Sequence, residues 1–191
     1  MTLTTITANR APMDRKKSSL RQQGITMPEI LIVMLIMSVL VSIAGPSLSD
    51  LVKKTRLRTE ADRIMTSLNY ARSEAIKLNS TVSLCRSSNG TACTGDWEDG
   101  WLVFRDIDGD GAVDNSDGDS VLAIYTGLPE NLRFRSDLSS NFLSYHADGS
   151  YAGGAGSIRI CPSDRETMNA WTIFQSSLGR PRISKGANSC A

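Results

Sequence analysis

Histidine is nearly absent from this chain, and the absence removes most enzymatic readings. His146 stands alone, so no HExxH metalloprotease helix can be assembled, and no nucleophile elbow lies near it. CxxC pairs are missing as well, which with one histidine leaves no zinc-ligand set. A phosphate loop of the GxxxxGK[ST] kind does not occur, so any nucleotide-driven motor must be another protein. Internal repeats are lacking. The length, 191 residues, fits one domain and an accessory segment, and two domains would be crowded. The chain is therefore not read as an enzyme.

One long apolar run is present, "ILIVMLIMSVLVSIAG" from Ile30 to Gly45. With Ile25 to Glu29 it reaches roughly the 20 residues that a bilayer-spanning helix needs. The net charge of +1 conceals an asymmetry. Arg10, Arg15, Lys16, Lys17 and Arg21 precede the run, opposed only by Asp14. Under the positive-inside bias, residues 1–24 stay in the cytoplasm and the rest crosses the membrane, a single-pass arrangement. "SIAGPS" offers an alternative, a secretory cleavage site after the run. Four cysteines, Cys85, Cys93, Cys161 and Cys190, agree with an oxidising compartment. Three pairings are possible; the reading favours Cys85 with Cys93 and Cys161 with Cys190.

Past Pro46 the pattern turns amphipathic. Leu51, Leu57, Ala61, Ile64, Leu68, Ala71 and Ala75 recur on one helical face. A helix from Ile25 to about Leu78 would be roughly 80 Å long, too long for a compact domain to cover. Gly45 and Pro46 should kink it. From Thr81 on, short β-like segments follow, "TVSLC", "WLVF", "VLAIY", "LRFR", "FLSY", "SIRIC", "WTIF" and "PRIS", separated by turn-forming residues. They predict antiparallel sheet packed on the second half of the helix, with Val82, Leu84, Ile158 and Ile160 facing the helix. "DGSYAGGAGS" reads as a mobile hairpin loop, and the fold class is α+β.

A basic leader ending at Gly24, Thr26, Glu29, an apolar helix and a proline near its end resemble the signal of type IV pilins and type II secretion pseudopilins. The resemblance implies a type IV pilin fold, cleavage between Gly24 and Ile25 by a prepilin peptidase, N-methylation of Ile25, and assembly with other major and minor pilins. Glu29 would be the assembly acid. A carboxylate in an apolar segment is costly, and the amine of Ile25 on a neighbouring subunit is its natural partner. Ile25 and Pro28 depart from the family, which usually has phenylalanine and an aliphatic residue there. The pattern implies residues 1–24 as leader, 25–46 as transmembrane and assembly helix, 47–78 as the amphipathic helix of the head, and 79–191 as a β-rich head. "YARSEAIKLNSTVSLC", "WEDGWLVFRDIDGDG" and "GRPRI" before a terminal cysteine resemble the GspH/FimT branch. That branch serves type II secretion, pilus assembly, or DNA uptake in natural transformation.

Two further motifs bear on chemistry. "GRPRISKG" resembles the GRxR motif of DNA-binding members, placing Arg180 and Arg182, with Lys185 added on charge, as ligands for double-stranded DNA. Two guanidiniums stiffened by a proline suit phosphate oxygens, and Arg159 and Arg165 could extend the patch. "DIDGDGAVDNSD" puts Asp106, Asp108, Asp110, Asp114 and Asp117 at EF-hand-like spacing, so Ca²⁺ is a candidate, although strand-like flanks favour an acidic hairpin turn. Trp97, Trp101 and Trp171 are expected in the core or on the sheet, with base stacking open to any that is exposed.

Overall fold

The computed structural model describes residues 24–138, 141–164, 170–186 and Cys190, with backbone alone at 43–47. Arg165, proposed above as an extension of the basic patch, lies outside them. Among the described residues one helix and eight strands form, and every β-like segment read from the sequence becomes a strand. The chain divides into two compact units between Gly45 and Pro46, described in turn.

α1 (Met27–Leu78) begins at a cap that the sequence spells out. Thr26 accepts backbone hydrogen bonds from Glu29 and Ile30, and its own N–H donates to Glu29 Oε2 at 3.4 Å. This is the return arm of a capping box, and Pro28 sits in the first turn, where a missing N–H costs nothing. Ile30 to Val41 are exposed on all sides of the helix. Among the described residues no helix is long and apolar enough to cross a membrane. The span expected over Ile30 to Gly45 runs past Ser42, the last described side chain before residue 48. The kink expected at Gly45 and Pro46 likewise falls on residues whose side chains are not described.

In the second unit, α1 lays Leu57, Ala61, Ile64, Leu68, Ala71 and Ala75 into the core at alternating steps of four and three. Three alanines in that stripe let the sheets approach the helix axis closely. Leu51 was expected to extend the stripe but is 59% exposed, because sheet residues cover the helix only from Leu57 onward. The helix ends in a Schellman motif: Ser80 N–H donates to Ala75 O, Asn79 N–H to Ile76 O, and Asn79 takes a positive φ of 48°.

Among the described residues two antiparallel sheets cover the helix, as the expected antiparallel packing requires. The first orders as β3 (Ser120–Thr126), β2 (Gly100–Arg105), β1 (Val82–Arg86) and β5 (Phe142–Tyr145). The second orders as β4 (Leu132–Ser136), β6 (Gly156–Pro162), β7 (Trp171–Gln175) and β8 (Pro181–Lys185). Val82, Leu84, Trp101 and Val103 from the first sheet share a single core with Leu132, Ile158, Ile160 and Ile173 from the second. "DGSYAGGAGS" is accordingly no hairpin loop. It carries the chain from β5 in one sheet to β6 in the other, and its Tyr151 is buried and bridges to Tyr145.

Both disulfides form as the sequence favoured. Cys85–Cys93 spans eight residues and Cys161–Cys190 spans 29. The tryptophans fasten elements together. Trp101 is buried and donates to Ser67 Oγ at 3.0 Å, Trp97 stacks on Phe134, and Trp171 receives the Arg58 guanidinium over its ring.

Candidate functional site

The GRxR segment forms the β7–β8 hairpin, and its glycine is there for space. Gly179 has φ +77°, and a Cβ at that position would stand 2.0 Å from the carbonyl oxygen of Gly149. The same oxygen accepts a hydrogen bond from Arg72 of α1 at 2.8 Å. Ser177 O accepts from Tyr151 N–H, and Ser176 Oγ donates to Arg180 O. The loop is therefore clamped from the inside, and Arg180 leaves from a defined position.

Strand register decides the rest. Arg182 lies opposite Phe174, and Ser184 opposite Thr172, so these four share the outer face of the sheet, away from the helix. Pro181, Ile183 and Lys185 point the other way, with Lys185 opposite Trp171. The structure thus brings Arg180 and Arg182 together and separates Lys185 from them. Lys185 lies three positions from Arg182, an odd step, and side chains alternate along a strand. Arg180, Arg182, Phe174, Leu178 and Arg159 line one groove of about 710 Å³.

Charge in this groove is uneven. Arg159 donates to Asp137 Oδ2 at 2.9 Å and pairs with Oδ1 as well. That pairing, helped by the Ser157 hydroxyl, holds the Asp137 carboxyl below the usual carboxylate range. Arg135 stands opposite Arg159 in register and lies 3.8 Å from Glu98. The guanidiniums of Arg180 and Arg182 are exposed and have no hydrogen-bonding or charged partner among the described residues. Among the described residues of this groove, the positive charge without a carboxylate partner lies at the hairpin end.

The aspartate loop between β2 and β3 closes differently from an EF-hand. Asp106 is buried and accepts from Ser83 Oγ at 2.5 Å, Gly109 N–H at 2.8 Å and Gly111 N–H at 3.2 Å. Asp119, absent from the spacing argument, accepts from Ile107 N–H and Asp114 N–H. Carboxylate oxygens of Asp106, Asp108 and Asp119 lie within 4.8 Å of one another. Asp110 instead accepts from Ala112 N–H, and Asp114 and Asp117 are exposed. The loop joins two hairpin strands, so its ends meet side by side, and the EF-hand ligand order does not assemble. A cation here would have to draw on Asp106 and Asp119, whose lone pairs already hold the loop's own donors. Burial outweighs those donors and raises the Asp106 pKa above the ordinary value. His146 follows β5 as an exposed residue, its N–H donating to Ser150 O.

Against known proteins, residues 19–45 match the prokaryotic N-terminal methylation motif, which includes Gly24, Ile25 and Glu29. Residues 60–179 match the family described as Type II transport protein GspH. The chain belongs to the GspH family. The match ends at Gly179, one residue short of Arg180, so GspH membership by itself does not speak for the two arginines. Among solved structures, the type IV minor pilin FimU of Pseudomonas aeruginosa is similar in two crystal forms. One superposes with a TM-score of 0.59 at 20% identity, covering 72% of this chain and 96% of that one. The other gives 0.56 at 21%, covering 71% and 100%. The minor pseudopilin EpsH of Vibrio cholerae gives 0.48 at 15%, covering 68% and 97%. No curated protein matches significantly.

The type IV pilin fold is thereby established, and the chain belongs to a family described as a type II transport protein. Its methylation motif points to membrane anchoring, a prepilin peptidase and partner pilins. Sequence reading missed Phe174, Leu178 and Asp119. For Phe174 the signal existed: alternation in "WTIFQ" puts Trp171, Ile173 and Gln175 on one face and Thr172 and Phe174 on the other. For Asp119 none existed, since its partners come from the fold of the loop.

Proposed function

We propose that this GspH-family chain is a minor pilin of a type IV pilus that contributes to assembly and binds DNA weakly and without sequence preference, for uptake in natural transformation. It is anchored by a single pass in the bacterial inner membrane with its head in the periplasm. A prepilin peptidase cuts after Gly24, Ile25 is methylated, and Glu29 meets the amine of Ile25 on the adjoining subunit. The observation that carries the DNA reading is the pair of exposed guanidiniums, Arg180 and Arg182, unpartnered among the described residues and presented by a clamped hairpin. Planar guanidiniums suit phosphate oxygens, and counterion release supplies most of the free energy.

The test is a salt series. The full chain in detergent micelles is titrated with a labelled DNA duplex at several ionic strengths. Each phosphate contact contributes a slope of about −0.9 in log affinity against log salt. Arg180→Ala plus Arg182→Ala should therefore flatten the slope by roughly 1.8 and weaken binding of every sequence alike. An unchanged slope and affinity would remove the DNA role. A second reading is supported by the family description itself, a type II transport protein. There the chain is a type II secretion pseudopilin, or an assembly-initiating minor pilin, whose arginines contact neighbouring subunits. In that case the double variant loses its place in the filament and keeps whatever slight affinity for duplex the parent had.

A further inference from the structure

The outer face of the second sheet carries an aromatic ring that packing does not explain. β7 is an interior strand of its sheet, and Phe174, next to its last residue, points outward with 49% of its surface exposed. Leu178 in the following hairpin is 74% exposed. Arg182 faces Phe174 directly across the β7–β8 ladder, and Arg180 lines the same groove. The three tryptophans, by contrast, are all engaged with the helix or with neighbouring rings. Phe174 is thus an open aromatic face with unpaired cations on one side, and the groove's own carboxylate, Asp137, is already neutralised by Arg159.

We infer that this groove binds single-stranded nucleic acid, with one base stacked on Phe174 and the adjoining phosphates held by Arg180 and Arg182. The inference rests on the DNA reading above and makes it more specific. Neighbouring strands are about 4.8 Å apart. A base laid on the Phe174 ring therefore leaves its phosphate over β8 and the hairpin, where the two guanidiniums project. A duplex keeps its bases stacked inside and can offer only its phosphates. Every unpaired base has a free π-face, so the contact is tolerant of sequence, and an aromatic floor beside cations is how single strands are held without sequence readout. A partner protein docking on Phe174 and Leu178 would gain from the apolar surface but not from the two desolvated cations at its edge.

Two probes decide it, a labelled oligothymidine and a duplex of equal length, each titrated into the full chain in detergent micelles. Phe174→Ala should weaken the oligothymidine roughly tenfold, toward the lower end of the stacking range because the ring is only half covered. Duplex affinity should stay unchanged, and Phe174→Tyr should retain single-strand binding. Phe174 is exposed, so the variant should fold, and an unaltered thermal melt confirms that. If Phe174→Ala leaves the oligothymidine affinity intact, or weakens both probes equally, the stacking site is refuted while arginine-dependent duplex binding stands. If neither probe binds the parent chain, this inference and the DNA role fall together.

Discussion

Replacing Asp106 tests whether the acidic loop is held by its own backbone or by a cation. Its two oxygens receive three donors, Gly109 N–H on Oδ1 and both Ser83 Oγ and Gly111 N–H on Oδ2. In Asp106→Asn the amide keeps one acceptor oxygen. Placed at Oδ1, it leaves the NH₂ facing Gly111 N–H. Placed at Oδ2, the NH₂ faces Gly109 N–H. Ser83 can adapt, because its hydroxyl can turn toward Ser144 Oγ, 2.5 Å away, but one backbone donor is stranded either way. A stranded buried donor costs about 1–3 kcal/mol, and removing a buried negative charge returns part of that. The expected net cost is about 1–2 kcal/mol, a Tm drop of roughly 3–6 °C for a chain of this size. Asp106→Ala strands both glycine donors and should cost about 3 kcal/mol. The assay is a thermal melt of the full chain in detergent micelles, followed by near-ultraviolet circular dichroism, with calcium and then with a chelator. A self-satisfied loop gives the order parent, Asn variant, Ala variant, with no shift on adding calcium. If calcium raises the parent's Tm and neither variant responds, the loop is a metal site and the hydrogen-bond account is wrong.

Removing the Cys161–Cys190 bridge should cost about 3–4 kcal/mol and removing Cys85–Cys93 about 2.5, because the longer loop regains more chain entropy; urea denaturation of the paired Cys→Ser variants checks the ranking. Trp101→Phe loses the hydrogen bond to Ser67 and part of the contact with Tyr125 and Arg63, and should cost roughly 2–3 kcal/mol in the same assay. The pH dependence has opposite signs at two aspartates. Asp106, with a raised pKa, binds its proton more tightly in the folded state, so its contribution to stability declines as pH rises from the ordinary value of 3.8 through the raised one. Asp137, with a lowered pKa, contributes stability above 3.8 that is lost as pH falls through the lowered value. Acid titration of Asp106→Asn and Asp137→Asn should therefore flatten the parent's stability profile above and below 3.8 respectively. Glu29→Gln retains the return bond from Thr26 N–H but loses the charge, so incorporation into filaments should drop while the head's melt is unchanged.

Local patterns carried far in this chain because many of its features depend on near neighbours. The alternating four and three of Leu57, Ala61, Ile64, Leu68, Ala71 and Ala75 needs only helical periodicity to mark the buried face. Short apolar segments between turn formers marked each strand. The N-terminal methylation motif is likewise a matter of spacing along one segment.

Tertiary structure decided whatever depends on how strands meet. Strand order separated β5 from β6 and made two sheets, turning an apparent hairpin loop into a crossover with a buried tyrosine. Loop closure chose Asp119 over Asp110, Asp114 and Asp117 as the carboxylate beside Asp106 and Asp108. Register put Arg182 beside Phe174 and turned Lys185 to the opposite face. A segment's periodicity states which residues share a side, but which side meets the core, and what lies across from it, depends on free energy gained from residues far away in the chain.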